Sequence, residues 1–291
     1  MSSISYQMIQ ANKINLHVAL AGPKDGKPVI LLHGFPDASF GWEAQIQALA
    51  QAGFHVIAPD QRGYNLSDKP KGVKNYNVGL LVDDIIALAD ALGLQQFNLA
   101  GHDWGALISW GLIDKYPERV RRLAILNVPH PWIMNKFLKT NWHQRIRSWY
   151  AFFFQLPGLP ELGLRAFDWK VPASLMCKTF TQSERNRYKA AWAQPGAMTA
   201  MLNWYRALFL QSSREIPRQK IQVPTLMIWG RLDPYLMWEM ASESIAMCEN
   251  GRLETLEDAT HWVHQDQPEI VNQLLLDFFS SDALDQAMPV N

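Results

Sequence analysis

The segment Gly101-His102-Asp103-Trp104-Gly105 sets an acidic side chain between small residues, after the apolar run Phe97-Asn98-Leu99-Ala100 and before a helix-forming stretch, Ala106 to Tyr116, that stops at Pro117. Small-x-nucleophile-x-small at a strand-to-helix turn is a nucleophile elbow: the glycines permit a cramped backbone that lifts the central side chain above the sheet. Here the centre is aspartate, and no Gly-x-Ser-x-Gly occurs anywhere in the chain. A serine must be deprotonated before it attacks, and it suits acyl transfer. An aspartate, with an unperturbed pKa of about 3.9, is already ionised at neutral pH. It can displace a leaving group from saturated carbon, giving an alkyl ester of the enzyme. Water must then attack that ester, so a base would act on water and not on the nucleophile.

The remaining parts can be placed by order along the chain. His33-Gly34-Phe35-Pro36 follows the apolar run Val29–Leu32, where a loop can lend the Phe35 N–H to an oxyanion hole; the residue after the nucleophile, Trp104, lends the second. An acid and then a histidine should follow. Asp233 lies in Gly230-Arg231-Leu232-Asp233-Pro234, after Thr225–Trp229, and His261 lies in Glu257-Asp258-Ala259-Thr260-His261-Trp262, after Arg252–Leu256. His261 is then the base and Asp233 its orienting acid. A rival acid could stand after Leu123–Leu126, but that residue is Asn127, which carries no charge. His264 and Asp266 lie close to His261, with no third ligand at metal-binding spacing. They are expected to be solvent-exposed and no metal is expected. His17, His55, His130 and His143 are read as structural or surface residues.

Positioning these groups requires a sheet. Val29–Leu32, Phe54–Ala58, Phe97–Ala100, Leu123–Leu126 and Thr225–Trp229 are short apolar runs of the kind buried on both faces of a parallel sheet. Ser39–Gln51 and Leu80–Leu92 carry apolar residues at helical spacing, the second ended by Gly93. Ile4 to Leu20 reads as two antiparallel edge strands. The expected fold is α/β: a mostly parallel central sheet with helices on both faces and an inserted helical lid. Residues 1–130 and 216–291 form the core domain and 131–215 the lid. The lid holds 16 of the 33 aromatic residues, six of them tryptophans, and its 12 basic and 4 acidic residues give net +8 against −8 for the remainder. Most of these aromatics pack lid to core and a minority line an apolar pocket. The basic excess is the solvated outer face.

Composition limits the partners. The 291 residues are 48% hydrophobic, ample for a core, and 27 basic residues balance 27 acidic ones, so nucleic acid is not an expected partner. No apolar run reaches the ~18 residues of a membrane span. The first twenty residues lack a signal-peptide pattern, which together with only two cysteines, Cys177 and Cys248, predicts a cytoplasmic protein without a disulfide framework.

Two lid segments, Ser148 to Gly158 and Leu202-Asn203-Trp204-Tyr205-Arg206, complete a resemblance that runs from His33-Gly34-Phe35-Pro36 to Gln265-Asp266-Gln267-Pro268. The chain resembles the soluble epoxide hydrolases of the α/β-hydrolase superfamily. The resemblance implies cofactor-free hydration of a small-molecule epoxide to a vicinal diol, with Tyr150 and Tyr205 hydrogen-bonding the epoxide oxygen. A phenol of pKa about 10 is protonated at neutral pH and can support a developing alkoxide. Phe35, Trp104, Phe154 and Trp204 are expected to contact substrate, and Tyr188 to pack. The chain departs from the family pattern at Asn65, where glycine is common, and at Asp37, where glutamate is frequent. Asparagine tolerates the left-handed conformation that the first position needs. Three other readings are weighed, and the first stays open because a lid tryptophan could supply the second halide donor it needs. Haloalkane dehalogenases share the aspartate elbow and its tryptophan but need a second halide donor, often an asparagine where this chain has Phe35. Fluoroacetate dehalogenases place arginines where this chain has Trp104 and Leu107. A non-catalytic binding protein on this fold would be expected to lack a nucleophile, base or lid acid, and none is missing.

Overall fold

A computed structural model describes residues 3–176, 180–210 and 220–281. Cys177 and the expected boundary at 215/216 lie outside the described residues. Eight strands form one sheet: β1 (Ser5–Ala11), β2 (Ile14–Ala21), β3 (Pro28–Leu32), β4 (His55–Pro59), β5 (Phe97–His102), β6 (Val120–Leu126), β7 (Thr225–Gly230) and β8 (Gly251–Leu256). Their order is β1-β2-β4-β3-β5-β6-β7-β8. β1 and β2 pair antiparallel, as do β2 and β4, and every other pairing is parallel. β2 is therefore not an edge strand. Its second half, Val18 to Ala21, is buried and hydrogen-bonds β4, while β1 is mostly exposed and forms the rim.

The interior strands read as unbroken apolar runs because both faces are covered. In β3, Val29 and Leu31 join one apolar layer, and Ile30 and Leu32 join the other. The first layer lies beneath α1 (Glu43–Gln51) and, near the end of the chain, Pro268–Ser280; the second lies beneath α2 (Val78–Ala91) and α3 (Trp104–Lys115). The predicted helix Ser39–Gln51 is divided: a 3₁₀ turn, Ser39–Trp42, precedes α1. Asn77 caps α2 by accepting a hydrogen bond from the Leu80 N–H.

Between β6 and β7 the chain is helical: α4 (Pro131–Thr140), α5 (Trp142–Arg147), α6 (Trp149–Phe153), α7 (Leu159–Leu175), α8 (Gln182–Trp192) and α9 (Ala197–Leu210). Residues Ala166–Trp169 interrupt α7 with non-helical backbone. His130 starts α4, its Nδ1 accepting from the Trp132 N–H; burial pushes its imidazole down to about 4, so it is neutral and free to accept. Past β7 come α10 (Glu239–Ile245), α11 (Val263–Asp266) and α12 (Pro268–Ser280). Three aromatic donors fasten the inserted helices to the sheet's loops. Trp192 Nε1 donates to Pro36 O at 2.6 Å, Tyr188 Oη to Asp37 Oδ1 at 2.8 Å and Trp204 Nε1 to Arg62 O at 3.0 Å. Arg62 in turn makes a buried, bidentate pair with Asp84.

Candidate active site

The parallel strands all end along one edge of the sheet, and the strand order reverses between β3 and β5, the point at which open α/β sheets bind ligands. His33 to Phe35 follow β3 and Asp103 follows β5, so the two loops are neighbours there. Asp103 has φ 49° and ψ −120°, a backbone rare for a residue with a side chain. The turn closes only because its flanks are glycine. A Cβ on Gly101 would stand 2.5 Å from Gly105 O and one on Gly105 2.1 Å from Leu32 O, and in the facing loop a Cβ on Gly34 would stand 2.3 Å from the Cβ of Asp103.

The Phe35 N–H donates to Asp103 Oδ1 at 2.7 Å. Trp104 opens α3, so its N–H has no acceptor within the helix. The other carboxylate oxygen, Oδ2, lies 3.3 Å from His261 Nε2, and His261 Nδ1 lies 2.6 Å from Asp233 Oδ2. Asp233, His261 and Asp103 thus make one hydrogen-bonded line from three strand ends. Asp233 is fixed from every side: its Oδ1 accepts from the Tyr235 and Leu236 N–H groups and its Oδ2 also accepts from Asn127 Nδ2 at 2.9 Å. His261 is buried. Burial alone would lower its pKa, but the Asp233 and Asp103 carboxylates outweigh that and push the imidazole up to about 10. It is an imidazolium at neutral pH while both carboxylates are charged.

Above this line is a cavity of about 380 Å³ lined by Phe35, Asp103, Tyr150, Phe154, Tyr205 and His261 among others. The two tyrosine rings, from α6 and α9, are 6.0 Å apart and nearly perpendicular. Burial raises the pKa of both phenols, and the nearby Asp103 charge raises them further, so both are held as neutral donors. Phe35 and Phe154 line the cavity as expected. Trp104 and Trp204 do not. The Trp204 indole is turned inward to its Arg62 acceptor, and Trp104 is packed edge-on between Trp204 and Tyr205, so the pair supports Tyr205 from behind.

His264 is a second correction. It is fully buried, stacked on Trp42 at 4.3 Å and beside His102, because α11 turns it under the sheet edge; burial lowers its pKa. Asp266 is partly buried and holds Thr260 through its N–H and hydroxyl. Among the described residues no group of three metal-ligating side chains occurs. Asn65 has φ 39° as expected, and its amide holds Asp60. Tyr188 packs, as expected, and is tied to Asp37 as well. The sequence reading missed Tyr235, Trp149, Phe153 and Trp262 as cavity-lining residues. Tyr235 could have been found from its place two residues after Asp233; the others carry no signal distinct from packing aromatics.

Comparison with known proteins agrees with this architecture. Residues 27–268 match the family model described as the alpha/beta hydrolase fold. The AB hydrolase superfamily protein YfhM of Bacillus subtilis is 43% identical over 97% of this chain and 100% of its own length. Epoxide hydrolase 2 of Caenorhabditis elegans is 33% identical over 96% of this chain and 81% of its own. The crystal structure of a Bacillus megaterium epoxide hydrolase in complex with an inhibitor superposes with a TM-score of 0.87, at 31% identity, covering 94% of this chain and 100% of the other.

Proposed function

The chain belongs to the α/β-hydrolase fold family, and from that premise we propose that it is an epoxide hydrolase working through a covalent ester on Asp103. The observation that carries this reading is the facing of two neutral phenols, Tyr150 and Tyr205, across the cavity from a carboxylate already hydrogen-bonded to the Phe35 N–H and His261. A phenol pair suits an oxygen leaving group that becomes an alkoxide.

Asp103 Oδ2 attacks an epoxide carbon, the carbon–oxygen bond opens, and one phenol gives its proton to the departing oxygen. Oδ1, held by Phe35, becomes the carbonyl oxygen of the ester. Esterification removes the negative charge of Asp103, one of the two that hold the His261 imidazolium. The imidazolium then releases its proton, which restores the phenolate to phenol and leaves a neutral imidazole. This imidazole takes a proton from water, whose oxygen adds to the ester carbonyl. The resulting oxyanion is stabilised by the Phe35 and Trp104 N–H groups. Collapse expels the diol oxygen, which takes the proton of the newly formed carboxylic acid. Asp103 is again a carboxylate and His261 again an imidazolium. The cycle consumes one epoxide and one water, with no cofactor. Residues 131–215 act as the lid that supplies the two phenols.

Turnover of a panel of aryl and alkyl epoxides beside a panel of bromoalkanes, with halide release measured in parallel, tests the leaving group. Diol formation without halide release is expected. Halide release without diol formation would replace this reading with a dehalogenase.

A further inference from the structure

The inserted helices carry an outer surface that the chemistry above leaves unused. On α5 and α6, Trp142, Ile146, Trp149 and Phe152 are each 57–62% exposed. Leu156, Leu159 and Leu162, next along the chain, are exposed as well, and Phe152 meets the exposed Phe209 at a ring distance of 5.3 Å. Solitary exposed apolar residues are ordinary; seven large ones within residues 142–162 form a patch that marks an interaction surface. Trp149 belongs to both sides, since it also lines the cavity, so the patch borders the cavity's rim.

Charge selects the occupant. Across residues 131–170, all of them described, Lys139, Arg145, Arg147, Arg165 and Lys170 are exposed, Glu161 is buried against Arg206, and Asp168, paired to Lys189, is the one exposed carboxylate. The segment 131–215 is net +8 and the rest of the chain net −8. A second copy docked two-fold on this patch would set like charge against like. An anionic bilayer surface accepts both components: it attracts the lysines and arginines and takes the tryptophan, phenylalanine and leucine side chains into its interfacial layer. The negative remainder of the molecule would orient the basic face toward it. None of the described helices is long and apolar enough to cross a membrane, which fits a face that lies on the bilayer.

We propose that the α5–α6–α7 face docks on anionic lipid bilayers, placing the cavity rim at Trp149 against the lipid. The docking stands apart from the epoxide reading; only the consequence, that apolar substrate enters from the bilayer, rests on it.

Co-sedimentation of the full chain with phosphatidylcholine vesicles, with and without phosphatidylglycerol, tests the docking. Binding to the phosphatidylglycerol vesicles alone, released by high salt, is expected. Substituting Lys139→Gln, Arg165→Gln and Lys170→Gln together should weaken binding by roughly fivefold per charge removed. Trp142→Gln, Ile146→Gln and Phe152→Gln together should weaken it by at least about tenfold. Both triple variants should keep the circular dichroism spectrum and denaturant midpoint of the wild type, which separates a lost surface from a lost fold. Failure of the wild-type chain to sediment with the anionic vesicles, or binding indifferent to both variants, would overturn the proposal. So would a dimer in sedimentation velocity that the apolar triple variant dissociates, for the face would then belong to a second copy.

Discussion

Asn127 stands at the end of β6, where a rival acid could have stood, and donates to Asp233 Oδ2, the oxygen that faces His261. Its own Oδ1 accepts the Gly230 N–H, so one buried side chain ties two strand ends to the acid. Replacing it with leucine removes a hydrogen bond to a charged group, typically ~1.5–3 kcal/mol. Ester hydrolysis in Asn127→Leu is therefore expected to slow by roughly tenfold or more, with ester formation much less affected; pre-steady-state separation of the two steps checks this. His261→Gln should go further and accumulate an ester on Asp103, visible as one added substrate mass on the intact protein. Removing both phenols, Tyr150→Phe with Tyr205→Phe, should slow ester formation by on the order of 10²–10⁴-fold. The positions of Asp103 and Asp233 were legible because each follows an apolar, buried strand, and His261, after the half-exposed edge strand β8, was legible from its order behind the acid. The orientation of Trp204 was not, since it depends on which acceptor its indole finds in the folded core, here the carbonyl of Arg62, and that of Trp104 follows from packing edge-on against Trp204 and Tyr205. His264 was misread for a similar reason: a histidine followed by the polar Gln265 and Asp266 looks exposed until a helix turns it inward.

Elements set the site's tolerance. β3 and the turn into α3 approach so closely that the glycines between them admit no side chain. Gly34→Ala would drive a methyl group to 2.4 Å from Asp103 Oδ1, the oxygen that Phe35 holds. It should abolish turnover while leaving most of the sheet intact, measured as lost activity with native-like circular dichroism. Gly105→Ala meets backbone, Leu32 O at 2.1 Å, which cannot swing aside. It should lower stability by at least the ~1–3 kcal/mol of ordinary overpacking, read from denaturant midpoints. The interior strands were legible because both faces of each are buried, which leaves an unbroken apolar run. β2 was misassigned as an edge because its first half alternates, Ile14 and Leu16 in with Asn15 out, and only its second half reveals the partner on the far side. The break between the Ser39–Trp42 turn and α1 has no apolar signature, as both halves bury the same face.

At the scale of the whole molecule, folding and chemistry share one proton. The unfolded imidazole titrates near 6.5, and the folded His261 is held up to about 10 by Asp233 and Asp103 against its burial. A raised folded value stabilises the fold fully below the unfolded pKa, and that contribution is lost as pH rises through the folded pKa. Stability should therefore fall between neutral pH and about 10, and His261→Gln should flatten that part of the profile; denaturant titrations across pH measure it. The same imidazolium can become a base only after Asp103 has lost its charge to an ester, so the ester is the hinge of the cycle. A single turnover in water labelled with heavy oxygen, with enzyme in excess over epoxide, examines it directly. If Asp103 is the covalent nucleophile, the first diol carries unlabelled oxygen taken from the carboxylate, and the label appears in the peptide spanning Gly101 to Gly105. Label in the first-turnover diol, with none in that peptide, would mean that water attacks the epoxide itself and that no ester forms on Asp103.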